Sequence, residues 1–243
     1  MSKIDIGNIA VEVTKKDIKN IHLTVYPPNG IVRLSAPKQI NDETIRLYII
    51  SKIPWIRKQQ RKYKKQDRQS QREYKQRESH YFLGKRYLIR IFEHNATPQI
   101  IIKNKTYIDL CIRPGTTVEQ RHIIMNEWYR KKLKEMIPEL INKWQKIIGV
   151  EVNDWGVKLM KTKWGTCNIQ SKRIWINLEL AKKPLYCIEY IIVHELIHLK
   201  ERLHNENYFA YINKFMPQWK LYQEELNNLP ISHTEWENKA QGR

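Results

Sequence analysis

Cysteine is scarce in this chain of 243 residues: Cys111, Cys167 and Cys187 stand far apart, with no Cys-x-x-Cys pair. A scattered, odd-numbered set supports neither a disulfide framework nor a thiolate metal site. Apolar runs of membrane-spanning length are missing, and Met-Ser-Lys-Ile-Asp-Ile-Gly at the start lacks the apolar segment of a signal peptide. The expectation is a reduced, cytoplasmic setting with no membrane partner. Acidic residues are outnumbered, 25 Asp and Glu against 44 Lys and Arg, for a formal net charge of +19. That excess implies attraction to polyanions such as nucleic acid or nucleotides. No P-loop and no acidic metal cluster accompanies it. The length suffices for one sizeable core or two modest ones.

What the sequence does contain is His194-Glu195-Leu196-Ile197-His198, set in an apolar run from Ile191 to Leu199. Residues four apart on a helix stack on one face, so the two imidazoles can share one metal ion. Glu195, beside the first histidine, is placed to take a proton from water rather than to serve as a ligand. This is the pattern of metal-assisted hydrolysis. A third ligand is needed, and two candidates follow. Glu201 shares the face of His194 on an unbroken helix. His204 does so only if the chain turns after about Arg202, and Asn205 is a good N-cap for a new helix there. Histidine is the commoner zinc ligand, which favours His204, with Glu201 as a supporting or substitute group. Cys187 and Cys167 read as packing residues.

The chain in order reads as an α+β protein. Residues 9–14, 21–26 and 31–36 alternate as half-buried strands, with Pro27-Pro28-Asn29-Gly30 as a turn. A helix over 41–52 follows, and Pro54 suits the first turn of a second, with Trp55 and Ile56 as its buried start. From Arg57 to Arg77, ten cationic residues are interleaved with Tyr63 and Tyr74. This is either a solvated helix or a phosphate-contacting arm; Arg57, Lys58, Arg61, Lys62, Lys64, Lys65 and Arg68 are its candidate contacts. Residues 81–91 form a hairpin bent at Gly84, and 99–103 and 106–112 two more strands. A long helix over 117–148 ends at Gly149. Trp155–Cys167 is strand-like and closes in a compact turn, Ile174–Leu178 is a strand, and Pro184 opens the metal helix. A last amphipathic segment over 206–228 is interrupted at Pro217. The expected division is a β-rich region over 1–115 with a basic helical arm at about 41–79, a metal-binding domain over 116–230, and a polar tail over 231–243.

Trp164-Gly165-Thr166-Cys167, Ile176-Asn177-Leu178, Pro184 and His194-Glu195-Leu196-Ile197-His198 with His204 together resemble the YgjP-like metallopeptidase family, relatives of the SprT-like zincins. Pro54-Trp55-Ile56 and Tyr81-Phe82-Leu83-Gly84-Lys85 extend the resemblance upstream. Thr166 replaces a usual Ser and keeps the hydroxyl; Asn205 replaces another and keeps an N-cap. The resemblance implies a zincin-like domain with a small twisted sheet over the metal helix. It also implies one zinc ion per chain on His194, His198 and His204, and Glu195 as acid/base. Trp164, Gly165 and Thr166 are then candidate substrate contacts, and Lys158–Lys163 the candidate strand edge for an extended polypeptide. The leading expectation is a zinc metallopeptidase, with nucleic-acid-associated proteins and a link to restriction–modification systems as suggested context. The alternatives are a metal-dependent nucleotide pyrophosphohydrolase and a non-enzymatic basic nucleic-acid-binding module. Tyr208 and Tyr211 are the candidates for stabilising an oxyanion.

Overall fold

The computed structural model describes residues 2–26, 29–65, 72–160 and 163–228, and the chain divides into two compact units, Met1–Arg68 and Gln69–Arg243. In the first, β1 (Ser2–Ile6), β2 (Ile9–Lys16), β3 (His22–Tyr26) and β4 (Ile31–Pro37) form a sheet in the order β1-β2-β4-β3. Its central pair is parallel and both outer pairs are antiparallel. Alternation in β2 and β4 puts Ile9, Val11, Val13, Val32 and Leu34 on one buried face, where Ile45, Ile49 and Ile56 of α1 (Asp42–Lys65) join them. Asn41 caps α1 by accepting the Thr44 N–H at 2.8 Å.

Two sequence expectations change in this unit. Residues 42–65 form one helix, not two, because Pro54 lies on the exposed side and Ile50, whose carbonyl loses its partner, is exposed as well. Ile56 is buried as expected, whereas Trp55 is 40% exposed.

The second unit begins with the same connectivity, although no repeat is visible in the sequence. β5 (Ser79–Phe82), β6 (Lys85–Glu93), β7 (Gln99–Ile102) and β8 (Tyr107–Ile112) pair in the order β5-β6-β8-β7, again with a parallel central pair. The helix that follows, α2 (Val118–Ile148), has a Thr117–Gln120 capping box and ends at Gly149 in the left-handed conformation, φ 72°. Phe82, Tyr87, Ile89, Ile108, Leu110 and Ile112 share one core with the buried face of α2 and with the histidine-bearing helix. The boundary expected after residue 115 therefore falls inside this unit. The expected basic arm is also shorter than 41–79: residues 72–75 are not helical, and Tyr74 is buried, its hydroxyl 2.6 Å from His122 Nδ1.

Three short strands, β9 (Asp154–Lys158), β10 (Gly165–Asn168) and β11 (Arg173–Asn177), make a second sheet in the order β10-β11-β9. Ile174, Ile176 and Val157 face the core, where α3 (Leu185–Ile197) runs; a short 3₁₀ helix (Leu178–Lys182) precedes α3. Buried residues surround α3 on every side, as an all-round apolar helix requires. Its entry is fixed by the β5–β6 turn. Leu83 N–H donates to Ala181 C=O at 2.9 Å, and a Cβ on Gly84 would stand 2.7 Å from Pro184 Cγ. The helices α4 (Glu206–Phe215) and α5 (Trp219–Asn228) close the unit. Among the described residues, no helix is long and apolar enough to cross a membrane.

Candidate metal centre

The histidine helix stops earlier than its spacing suggests. α3 ends at Ile197, His198 is its C-cap, and the Lys200 and Glu201 N–H groups both donate to Ile197 C=O, turning the chain at once. Asn205 then caps α4 by accepting the Tyr208 N–H at 3.0 Å. The turn returns His204 to the other two histidines, so that His194, His198 and His204 each present a nitrogen within 4.8 Å of one another. Glu201 takes no place in that group. Its backbone carbonyl lies 3.1 Å from His198 Nδ1, and its carboxylate accepts the Leu203 N–H.

The donor set fits a tetrahedral ion. Ligand nitrogens at about 2.0–2.1 Å from one centre lie about 3.3–3.4 Å apart, and His194 Nε2 and His204 Nε2 are separated by 3.2 Å. The far nitrogens are held as ligand rings require. His198 Nδ1 donates to Glu201 C=O, and His194 Nδ1 stands 2.7 Å from the Tyr208 hydroxyl, which also reaches the His194 C=O at 3.5 Å. With Nδ1 as the donor, each Nε2 is left with its lone pair. Tyr208 is 1% exposed, and its ring packs against all three imidazoles. Burial, followed by the neighbouring His198 and His204, pushes His194 down to about 3, so the ring is held neutral, the form that binds a metal.

Glu195 lies alongside, 4% exposed, and burial pushes its carboxyl up to about 8, against the opposing pull of Lys163. Gly165 explains how it fits. A Cβ there would stand 2.5 Å from Glu195 Oε1 and 2.8 Å from its Cγ. Gly165 does not adopt positive φ; it is needed because the carboxylate occupies the space of a side chain. It opens strand β10 rather than closing a compact turn, as the sequence had suggested. The segment before it is clamped by Asn177. Its Oδ1 accepts from Met160 N–H and Glu179 N–H, each at 3.2 Å, and its Nδ2 donates to Met160 C=O at 2.9 Å and Lys163 C=O at 2.7 Å. All four hydrogen-bonding positions of this buried amide are used.

The three histidines, Glu195 and Gly165 line a cleft of about 1050 Å³ that also takes in Trp164, Thr166, Cys167 and Trp175. The strand along it is β10; of the expected Lys158–Lys163 edge, Lys163 lines the cleft and residues 161 and 162 fall outside the described residues. Cys167 packs against the core, and burial raises its thiol to about 11, consistent with a packing role. Cys187 is fully buried. Tyr211 stacks on Phe215, away from the histidines that Tyr208 serves. Arg57, Lys58 and Arg61 lie exposed on α1 of the first unit. The side chains of Lys62, Lys64 and Lys65, together with Arg68 and the tail over 231–243, fall outside the described residues. Sequence reasoning missed the parts played by Tyr208 and Asn177. The available signals were a tyrosine one helical turn after His204, and the asparagine within Ile176-Asn177-Leu178.

A family model described as YgjP-like, metallopeptidase domain, matches residues 19–229. No curated protein matches the chain. Two solved structures share a limited likeness. The abylysin metallopeptidase zymogen of Pyrococcus abyssi is 19% identical, with 37% of this chain and 91% of that one covered and a TM-score of 0.36. The jannalysin metallopeptidase zymogen of Methanocaldococcus jannaschii is 20% identical, with 37% and 92% covered and a TM-score of 0.34. The family match spans most of the chain, across both compact units and the whole histidine–glutamate centre: the chain belongs to the YgjP-like family and is a metallopeptidase.

Proposed function

We propose that the chain is a zinc-dependent endopeptidase in which His194, His198 and His204 hold one zinc ion and Glu195 moves the proton. The observation that carries this is the convergence of three imidazoles with a buried carboxylate at the floor of an open cleft. Bound there, zinc would supply Lewis acidity, polarising a carbonyl and bringing the pKa of water to about 7. As the carboxylate, the form a zinc charge beside it would favour, Glu195 accepts the proton of the attacking water and returns it to the leaving amine. Gly165 and the surrounding core restrict the Glu195 carboxylate, so its orientation is set before substrate arrives. The edge of β10 offers backbone groups to an extended polypeptide, with Trp164 and Thr166 beside them.

The test is a comparison of Glu195→Gln, His204→Ala and Glu201→Ala for metal content and for cleavage of a denatured protein. Glu195→Gln is expected to keep stoichiometric zinc and lose turnover by about three to four orders of magnitude. His204→Ala should lose zinc, and Glu201→Ala should keep it, since its carbonyl remains. Wild-type turnover in Glu195→Gln, or zinc loss confined to Glu201→Ala, refutes the assignment.

A further inference from the structure

The charged side chains lining the cleft, among the described residues, are Lys163, Arg202 and Glu195. Glu195 lies at the floor against Gly165. The two cations are exposed and come from different segments of the chain. Lys163 lies two residues before β10, its carbonyl held by the buried Asn177 amide and the next carbonyl, that of Trp164, held by the Asn177 N–H at 2.9 Å. Arg202 sits in the turn between α3 and α4, between two of the clustered histidines. Lys163 thus stands near the start of β10 and Arg202 in the turn that carries the histidines, the two parts of the cleft that an extended chain would follow.

Trp175, which also lines the cleft, carries two further cations on its ring. Trp175 lies flat over Gly156, where a Cβ would stand 2.4 Å from its ring, and the ring carries Arg173 Cζ at 4.2 Å and Lys158 Nζ at 4.6 Å from its centre. Arg173 is shared with Asp154 at 2.9 Å, so its charge is partly matched; the acid in the cleft lining is Glu195, on which Lys163 acts electrostatically, and among the described residues neither Lys163 nor Arg202 is in an ion pair. The net charge of +19 supplies a background field of the same sign.

We propose that this cleft selects acidic polypeptide segments, with Asp or Glu side chains on either side of the scissile bond paired to Lys163 and Arg202. The proposal deepens the endopeptidase reading and rests on it for the act of cleavage, not for the selectivity. A single-stranded nucleic acid would satisfy the same charges, but two features favour the polypeptide. The Trp175 ring packs on Gly156 and already carries two cations, which compete with a stacking base. Among the described residues β10 pairs on one edge alone, with β11, and its other edge matches a peptide backbone.

The experiment uses full-length, zinc-loaded Glu195→Gln protein and two fluorescent peptides that differ only by Asp and Glu against Asn and Gln around one central bond. Anisotropy should show the acidic peptide bound about tenfold more tightly at low salt, with the gap closing at about 0.5 M salt. Lys163→Gln and Arg202→Gln should each weaken acidic-peptide binding about threefold, and the double replacement should bring the two peptides level. Equal binding of both peptides, or a preference that survives the double replacement, overturns the proposal. It is also overturned if an oligonucleotide of matched charge displaces the acidic peptide at far lower concentration and only its binding is lost in the double variant. Turnover is read separately with Glu195 intact. Selective acidic binding with neither peptide cleaved would refute the endopeptidase reading and leave the selectivity supported.

Discussion

Gly165→Ala tests the site through one methyl group. Its Cβ would fall 2.5 Å from Glu195 Oε1, 2.8 Å from Cγ and 2.9 Å from Cδ, whereas carbon and its neighbours prefer about 3.5–4.0 Å. Relief requires a movement of about 1 Å. Gly165 is paired with Ile176 inside the sheet, and Glu195 is buried among core residues. The overlap should therefore be shared between a strained strand and a displaced carboxylate. Overpacking of this kind costs about 1–3 kcal/mol, and a catalytic group misplaced by about 1 Å loses about 100-fold in rate. The three histidines are not touched, so zinc should remain stoichiometric while kcat on a peptide falls about 100-fold, with a lower Tm. A double-mutant cycle with Glu195→Asp separates this from general damage. Aspartate withdraws the carboxylate by one methylene and vacates the contested space, so Gly165→Ala should add little to the loss caused by Glu195→Asp alone. Additive losses, unchanged kcat in Gly165→Ala, or loss of zinc would each refute the argument.

Three other perturbations read different parts of the site. Tyr208→Phe removes the partner of His194 Nδ1; zinc affinity in a chelator competition should fall about 10- to 100-fold with the fold intact. Asn177→Ala breaks four side-chain hydrogen bonds and should cost about 3 kcal/mol in urea unfolding. Hydrogen exchange should quicken at the Met160 and Glu179 amides, and Asn177→Asp should not rescue them, because it sets a carboxylate against the Met160 and Lys163 carbonyls. Lys183 is 4% exposed, and burial lowers it from 10.5 to about 8. Between those values the unfolded chain binds more protons than the folded one, so stability should rise with pH across that window, by up to about 3 kcal/mol. Lys183→Met should flatten that rise in denaturation midpoints; an unchanged slope refutes the assignment.

The one-turn pair His194 and His198, with Glu195 between them, was legible from the sequence because helical periodicity alone sets that geometry. So were the strand alternation in β2 and β4, the Gly149 end of α2 and the N-cap at Asn205, all of which depend on neighbours a few residues away. Tertiary structure decided the rest. Helical spacing left Glu201 and His204 as rivals, and only the stop at Ile197 brought His204, not Glu201, to the other two histidines, because such a cluster is a matter of distance across a turn. The sequence showed that Gly165 was special but not why; the reason is a carboxylate thirty residues later occupying its side-chain space. Tyr208 behind His194, Asn177 clamping the loop before β10, and the common core of β5–β8 with α2 likewise join residues far apart in the chain. Local propensity carries no record of such pairings, since they form only when the packed core brings the segments together.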